Sequence, residues 1–101
     1  MSSYMGVDVN TPKPLDTHPG DEIVAWAREQ LRIARTILDN PGGGLLFATQ
    51  TIGQVRAGLE ERDAARWEPV AQSLARAEDA VIRREFTTAR NHIDEALTGL
   101  A

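Results

Sequence analysis

The sequence predicts an all-α protein: an antiparallel four-helix bundle, with helices at about 18–39, 44–62, 64–83 and 86–100, behind an extended N-terminal arm. Three observations carry that expectation. Apolar residues recur at steps of three and four through four successive stretches, the spacing that keeps side chains on one face of an α-helix. Pro and Gly punctuate the chain before the first stretch and after it, at Pro12, Pro14 and Pro19 and then at Pro41-Gly42-Gly43-Gly44. A chain of 101 residues has room for one core and not for two. The domain division that follows is an arm over 1–19 and a single helical domain over 20–101.

In the arm each proline lacks a backbone donor and biases its predecessor toward extended geometry, so no helix is expected before Thr17. Met5, Val7 and Val9 alternate there with Gly6, Asp8 and Asn10, a period of two. The first helix is expected to start near Thr17 or Asp21, capped by Thr17 or Asp16, with Pro19 tolerated in the first turn. Its stripe is Val24, Ala27, Leu31, Ala34 and Leu38. Ile23, Trp26, Ile33 and Ile37 widen that stripe on one side, so apolar surface remains beyond a single seam. Pro41 and the three glycines end it, because proline cannot continue a helix and glycine accepts the left-handed conformation of a C-terminal cap.

The second helix carries Leu45, Ala48, Ile52, Val55 and Leu59, and beside them a row of small residues, Thr49, Gly53 and Ala57. Glycine inside a helix costs about 1 kcal/mol relative to alanine, so Gly53 and Gly58 call for a compensating close approach, from the first helix or from a partner. Asp63 is the expected cap of the third helix, with stripe Trp67, Val70, Leu74, Ala77 and Val81. The fourth repeats the pattern in Phe86, Ala89, Ile93, Ala96 and Leu100. The turn between them is placed at Arg83-Arg84-Glu85, where no glycine or proline enforces a break. Alanine fills so much of these seams that the helices must approach closely, and a thin core makes homodimerisation an alternative to a closed monomer.

Composition narrows the function. There is no cysteine, hence no disulfide framework and no thiolate metal site. No apolar run approaches the roughly 18 residues of a membrane span, and the start MSSYMGVDVNTPKP lacks the basic and apolar regions of a secretory signal, so a soluble cytoplasmic protein without a membrane partner is expected. A net charge of −4 argues against a nucleic-acid partner. Ten arginines stand against the single Lys13, a bias typical of GC-rich coding, which points to a bacterial or phage source.

No catalytic constellation is legible. Ser2, Ser3 and Ser73 have no base positioned near them in sequence, and His92 lacks the Glu three residues earlier that a bundle metal site uses. The acidic run Glu60, Glu61, Asp63 reads as a solvated helix end, and Gly42–Gly44 follows no strand and precedes no Lys-Ser/Thr pair, so it does not read as a phosphate loop. No cofactor and no metal are expected, and the protein is not read as an enzyme. The residues expected to meet a partner are Trp26, because tryptophan is frequent in binding hot spots; the arginine stripe Arg28, Arg32 and Arg35; and the small-residue row Thr49, Gly53 and Ala57.

The segment Glu85-Phe-Thr-Thr-Ala89-Arg-Asn-His-Ile93-Asp-Glu-Ala96-Leu97 resembles the second helix of a tetratricopeptide repeat over 13 residues. Upstream it departs: Ser73 stands where the repeat has Trp, Ala80 where it has Tyr and Arg84 where it has Gly, and no second copy follows at the repeat period. The length also resembles the small WXG-type helical hairpins, but Trp26 is followed by Ala27-Arg28 and Trp67 by Glu68-Pro69, so their Trp-x-Gly turn is missing. Neither resemblance assigns a family. The expected function is a non-enzymatic helical interaction module: a regulator, an antitoxin-like partner or a phage-encoded inhibitor of a host protein. A self-assembling structural subunit, such as a homodimeric or virion component, is the alternative.

Overall fold

The computed structural model describes residues 19–101, which form three helices and no strand. They are α1 (Pro19–Asp39), α2 (Leu45–Ile82) and α3 (Phe86–Leu100). The alternating stretch at Met5–Val9, the caps proposed at Asp16 and Thr17, and His18 lie outside the described residues; Pro19, expected in the first turn of the first helix, is the first residue of α1.

The all-helical class holds, but the four-helix bundle does not: the expected helices at 44–62 and 64–83 are a single element of 38 residues. Asp63 is its one interior residue outside helical geometry (φ −166°, ψ 87°). Its carboxylate Oδ1 accepts the backbone N–H of Arg66 at 3.2 Å, the bond of an N-cap. A cap needs only one non-helical residue, so the chain turns without a loop and without the glycine or proline that would mark a break in the sequence.

The turn is sharp. Arg56 Nε donates to Glu78 Oε2 at 2.7 Å and Nη2 to Oε1 at 3.3 Å, although the two residues are 22 apart in the chain. A straight helix would separate them by about 33 Å. The two arms of α2 therefore fold back against each other, and this fork-on-carboxylate pair clasps them.

At the end of α1, Gly42 takes a positive φ of 45° and Gly44 N–H donates to the Pro41 carbonyl at 2.6 Å, closing the turn into α2. Arg90 of α3 donates from Nη1 to the Leu38 carbonyl at 3.3 Å and pairs with Asp39 at 3.4 Å, so a cation from a neighbouring helix satisfies the negative end of α1. The α2–α3 turn falls at Arg83–Glu85 as expected, and its hydrogen bonds explain how it forms without glycine. Arg84 N–H reaches the Val81 carbonyl at 2.9 Å and Glu85 N–H the Ala80 carbonyl at 2.8 Å, a Schellman pair that places Arg84 at the left-handed position, φ 62°. A side chain in that conformation costs roughly 1–2 kcal/mol. Arg84→Gly is therefore expected to raise stability by about 0.5–1 kcal/mol, seen as a higher urea midpoint at unchanged m value. A loss of stability would mean that the Arg84 side chain holds the turn by contacts that outweigh its backbone cost.

The inward stripes meet in one core. Leu31, Leu38, Ile52, Val55, Leu59, Leu74 and Ile93 are sealed from solvent, with Ala27, Ala34, Ala48, Ala77, Ala89 and Ala96 between them. Alanine at these positions lets the helix axes draw together, and the leucines and isoleucines fill the space that remains. Trp67 is buried beneath Arg66, whose guanidinium carbon lies 4.6 Å from the ring centroid.

Candidate protein-docking surface

The residues singled out in the sequence do not stay together. Trp26 keeps 38% of its surface exposed, and its ring covers Gly58: a Cβ there would lie 3.0 Å from one ring carbon and 3.2 Å from the next. The close approach of α1 to α2 is thus over Gly58, not over the row of Thr49, Gly53 and Ala57. That row splits. Gly53 faces the Glu78 carboxylate of the opposite arm at 3.9 Å from its Cβ position, Thr49 is half-buried with its hydroxyl returned to the Leu45 carbonyl at 2.9 Å, and Ala57 is exposed.

The arginine stripe splits as well. Arg35 is held by α3: Nε donates to Asp94 Oδ1 at 2.7 Å and Nη2 to Oδ2 at 3.2 Å, with Asp39 at 3.7 Å on the other side. These carboxylates raise its pKa further, the Asp94 hydrogen bond foremost. Arg28 is half-buried and lines a groove with Val24, Arg66, Trp67, Val70 and Leu100. Arg32 is exposed. Of the three, Arg32 projects most freely from the outer side of α1.

The apolar surplus that the sequence pattern gives the first helix extends in the structure to a residue it did not single out, Phe47. Ile33 is 38% exposed and Phe47 56%, alongside Trp26. Two contacts set the register here: Gly58 under Trp26, and Gly44, whose Cβ position lies 2.8 Å from Ile37 Cγ2. The first arm of α2 therefore runs antiparallel to α1. Phe47 and Gly58 are eleven residues, close to three turns, apart and share the side of that arm turned toward α1. Trp26, Ile33 and Phe47 thus border one seam. One shallow depression lies between the two helices, lined by Ile23, Trp26, Gly58, Glu61 and Arg62, and another lies on α1 itself, lined by Glu29, Arg32, Ile33, Thr36 and Ile37. The widened stripe of the first helix was the legible part of this signal; Phe47 was not, because only the register brings it alongside. Two other large apolar residues, Leu46 and Ile82, are exposed near the ends of α2.

One grouping has the composition of a catalytic set but not its wiring. Ser73 Oγ donates to Glu95 Oε1 at 3.4 Å, and His92 Nδ1 lies 3.0 Å from the same oxygen. The carboxylate sits between hydroxyl and imidazole, whereas nucleophile activation needs the imidazole between hydroxyl and carboxylate. Among the described residues no three His, Asp or Glu side chains gather closely enough to hold a metal ion, and no helix is long and apolar enough to cross a membrane.

The His92 contact, ahead of all other influences, draws the Glu95 pKa below its ordinary value. A carboxyl whose folded pKa is depressed contributes stability above its unfolded pKa and loses it as pH falls through the folded value. An NMR titration is expected to place the Glu95 midpoint below that of an unperturbed glutamate, and His92→Gln to return it upward. An unchanged midpoint in the variant would show that His92 does not set it.

Comparison with protein families, with curated proteins and with solved structures finds no match to this chain.

Proposed function

We propose that this chain is a non-enzymatic helical interaction module, of the regulator, antitoxin-like or inhibitor kind, that receives a protein partner on the outer seam between α1 and the first arm of α2. The observation that supports the reading is the apolar strip of Trp26, Ile33 and Phe47 left open along that seam while the inward stripes are closed. Arg32, exposed at its edge, supplies a fork for carboxylates at the rim. The arginine-rich composition, typical of GC-rich coding, suits a module made by a bacterium or encoded by its phage.

Photo-crosslinking in the cells that make the protein tests this. A photoreactive residue at Ile33 or Phe47 is expected to give a covalent protein adduct of defined stoichiometry, and one at exposed Gln72 on the second arm of α2 is not. No adduct from either seam position overturns the reading.

A further inference from the structure

The outer face of α1 is complementary to itself when reversed. Its exposed residues Ala25, Trp26, Glu29, Arg32, Ile33 and Thr36 fall into three pairs, small with small (Ala25 and Thr36), aromatic with aliphatic (Trp26 and Ile33) and acid with base (Glu29 and Arg32). Each pair is centred within half a residue of Gln30. We infer that the occupant of this face is a second copy of the chain, bound with the two α1 helices antiparallel about a twofold axis beside Gln30. The inference rests on the docking surface proposed above and names its partner.

A twofold contact places residue i against residue j and j against i, so only a face with this reciprocal pattern is satisfied by its own copy. Trp26 then lies on the partner's Ile33 and Ile33 on the partner's Trp26, two turns apart along the helix, which covers both exposed apolar groups twice over. Glu29 meets the partner's Arg32 on each side of the axis. Neither side chain has an ion pair with another described residue, unlike Arg35 and Arg56, which are committed to Asp94 and Glu78. The charges on the face cancel, so it has no excess with which to select an acidic or a basic partner of another kind; what it complements is its own reverse.

Sedimentation equilibrium of the full chain at low salt decides the matter. The wild type is expected to dimerise reversibly with concentration. E29R and R32E each set like charges against each other at two symmetric places and are expected to weaken association about tenfold or more, and I33R to abolish it. The double variant E29R/R32E rebuilds both pairs with signs exchanged and is expected to return to within about threefold of wild type. Circular dichroism of each variant keeps loss of folding apart from loss of association, since Glu29 and Arg32 are exposed. A wild type that stays monomeric up to about 1 mM, a dimer indifferent to all four variants, or a double variant as weak as the singles overturns the proposal. If the wild type is monomeric while a crosslinker at Ile33 captures a different protein, the second copy is wrong and the interaction module stands; if neither seam position captures any protein, both fall.

Discussion

Leu74→Ala is expected to destabilise the fold by about 2–5 kcal/mol, read from urea unfolding as a fall in midpoint at constant m. Leu74 is sealed from solvent on the second arm of α2, in a core where much of the lining is alanine. Alanine side chains have no spare atoms to swing into a vacated volume, so the cavity cannot collapse cheaply and the cost belongs in the upper part of that range. Ile82→Ala is the matched control. Ile82 is 72% exposed, and its loss is expected to change stability by no more than about 0.5 kcal/mol. A Leu74→Ala cost as small as the control's would mean that the second arm is not packed into the common core.

Asp63→Ala is expected to cost about 0.5–2 kcal/mol, through two effects of the same sign. The first is the lost acceptor for the Arg66 N–H, which leaves an N-terminal donor of the second arm without its cap. The second is backbone preference: alanine favours helical angles, and at 63 the fold requires an extended residue so that the arms can double back. Asp63→Asn keeps a side-chain acceptor and is expected to stay within about 0.5 kcal/mol of wild type. Equal losses in the two variants would show that the cap contributes nothing and that the clasp of Arg56 on Glu78 sets the bend by itself.

The position of Asp63 shows how far the sequence could be followed. As a capping residue before an apolar stripe it was legible, since the preference of aspartate for that site comes from the orphan donors of a helix start, a local matter. That one residue would serve as the whole connection was not legible, because the length of a turn depends on how two arms pack. Arg84 is the converse case. Nothing in its side chain announces a left-handed residue, and the conformation is imposed by the carbonyls of Ala80 and Val81 that the following amides must satisfy.

The candidate surface divides along the same line. Exposure of Trp26 and the surplus width of the first stripe are properties of one helix and could be read from periodicity. The arginine stripe could not show that Arg35 is paired within the fold, since Asp94 lies 59 residues away and only the packing of α3 on α1 brings it within 2.7 Å. The small-residue row is a related case. Thr49, Gly53 and Ala57 mark one side of a helix, but whether that side meets α1 or the other arm depends on rotation about the axis, which Gly58 under Trp26 reveals.

The sequence by itself determined that this protein is helical and which face of each stretch turns inward, because a helix is a local structure and burial leaves a period of 3.6 in the chain. The tertiary structure decided what each outer face meets: that α2 doubles back at a single residue, that Arg35 and Arg56 are spent within the fold, and that Trp26, Ile33 and Phe47 share one open seam. Those outcomes are set by the register and rotation of helices against one another, which arise from contacts between distant residues and leave no period to read.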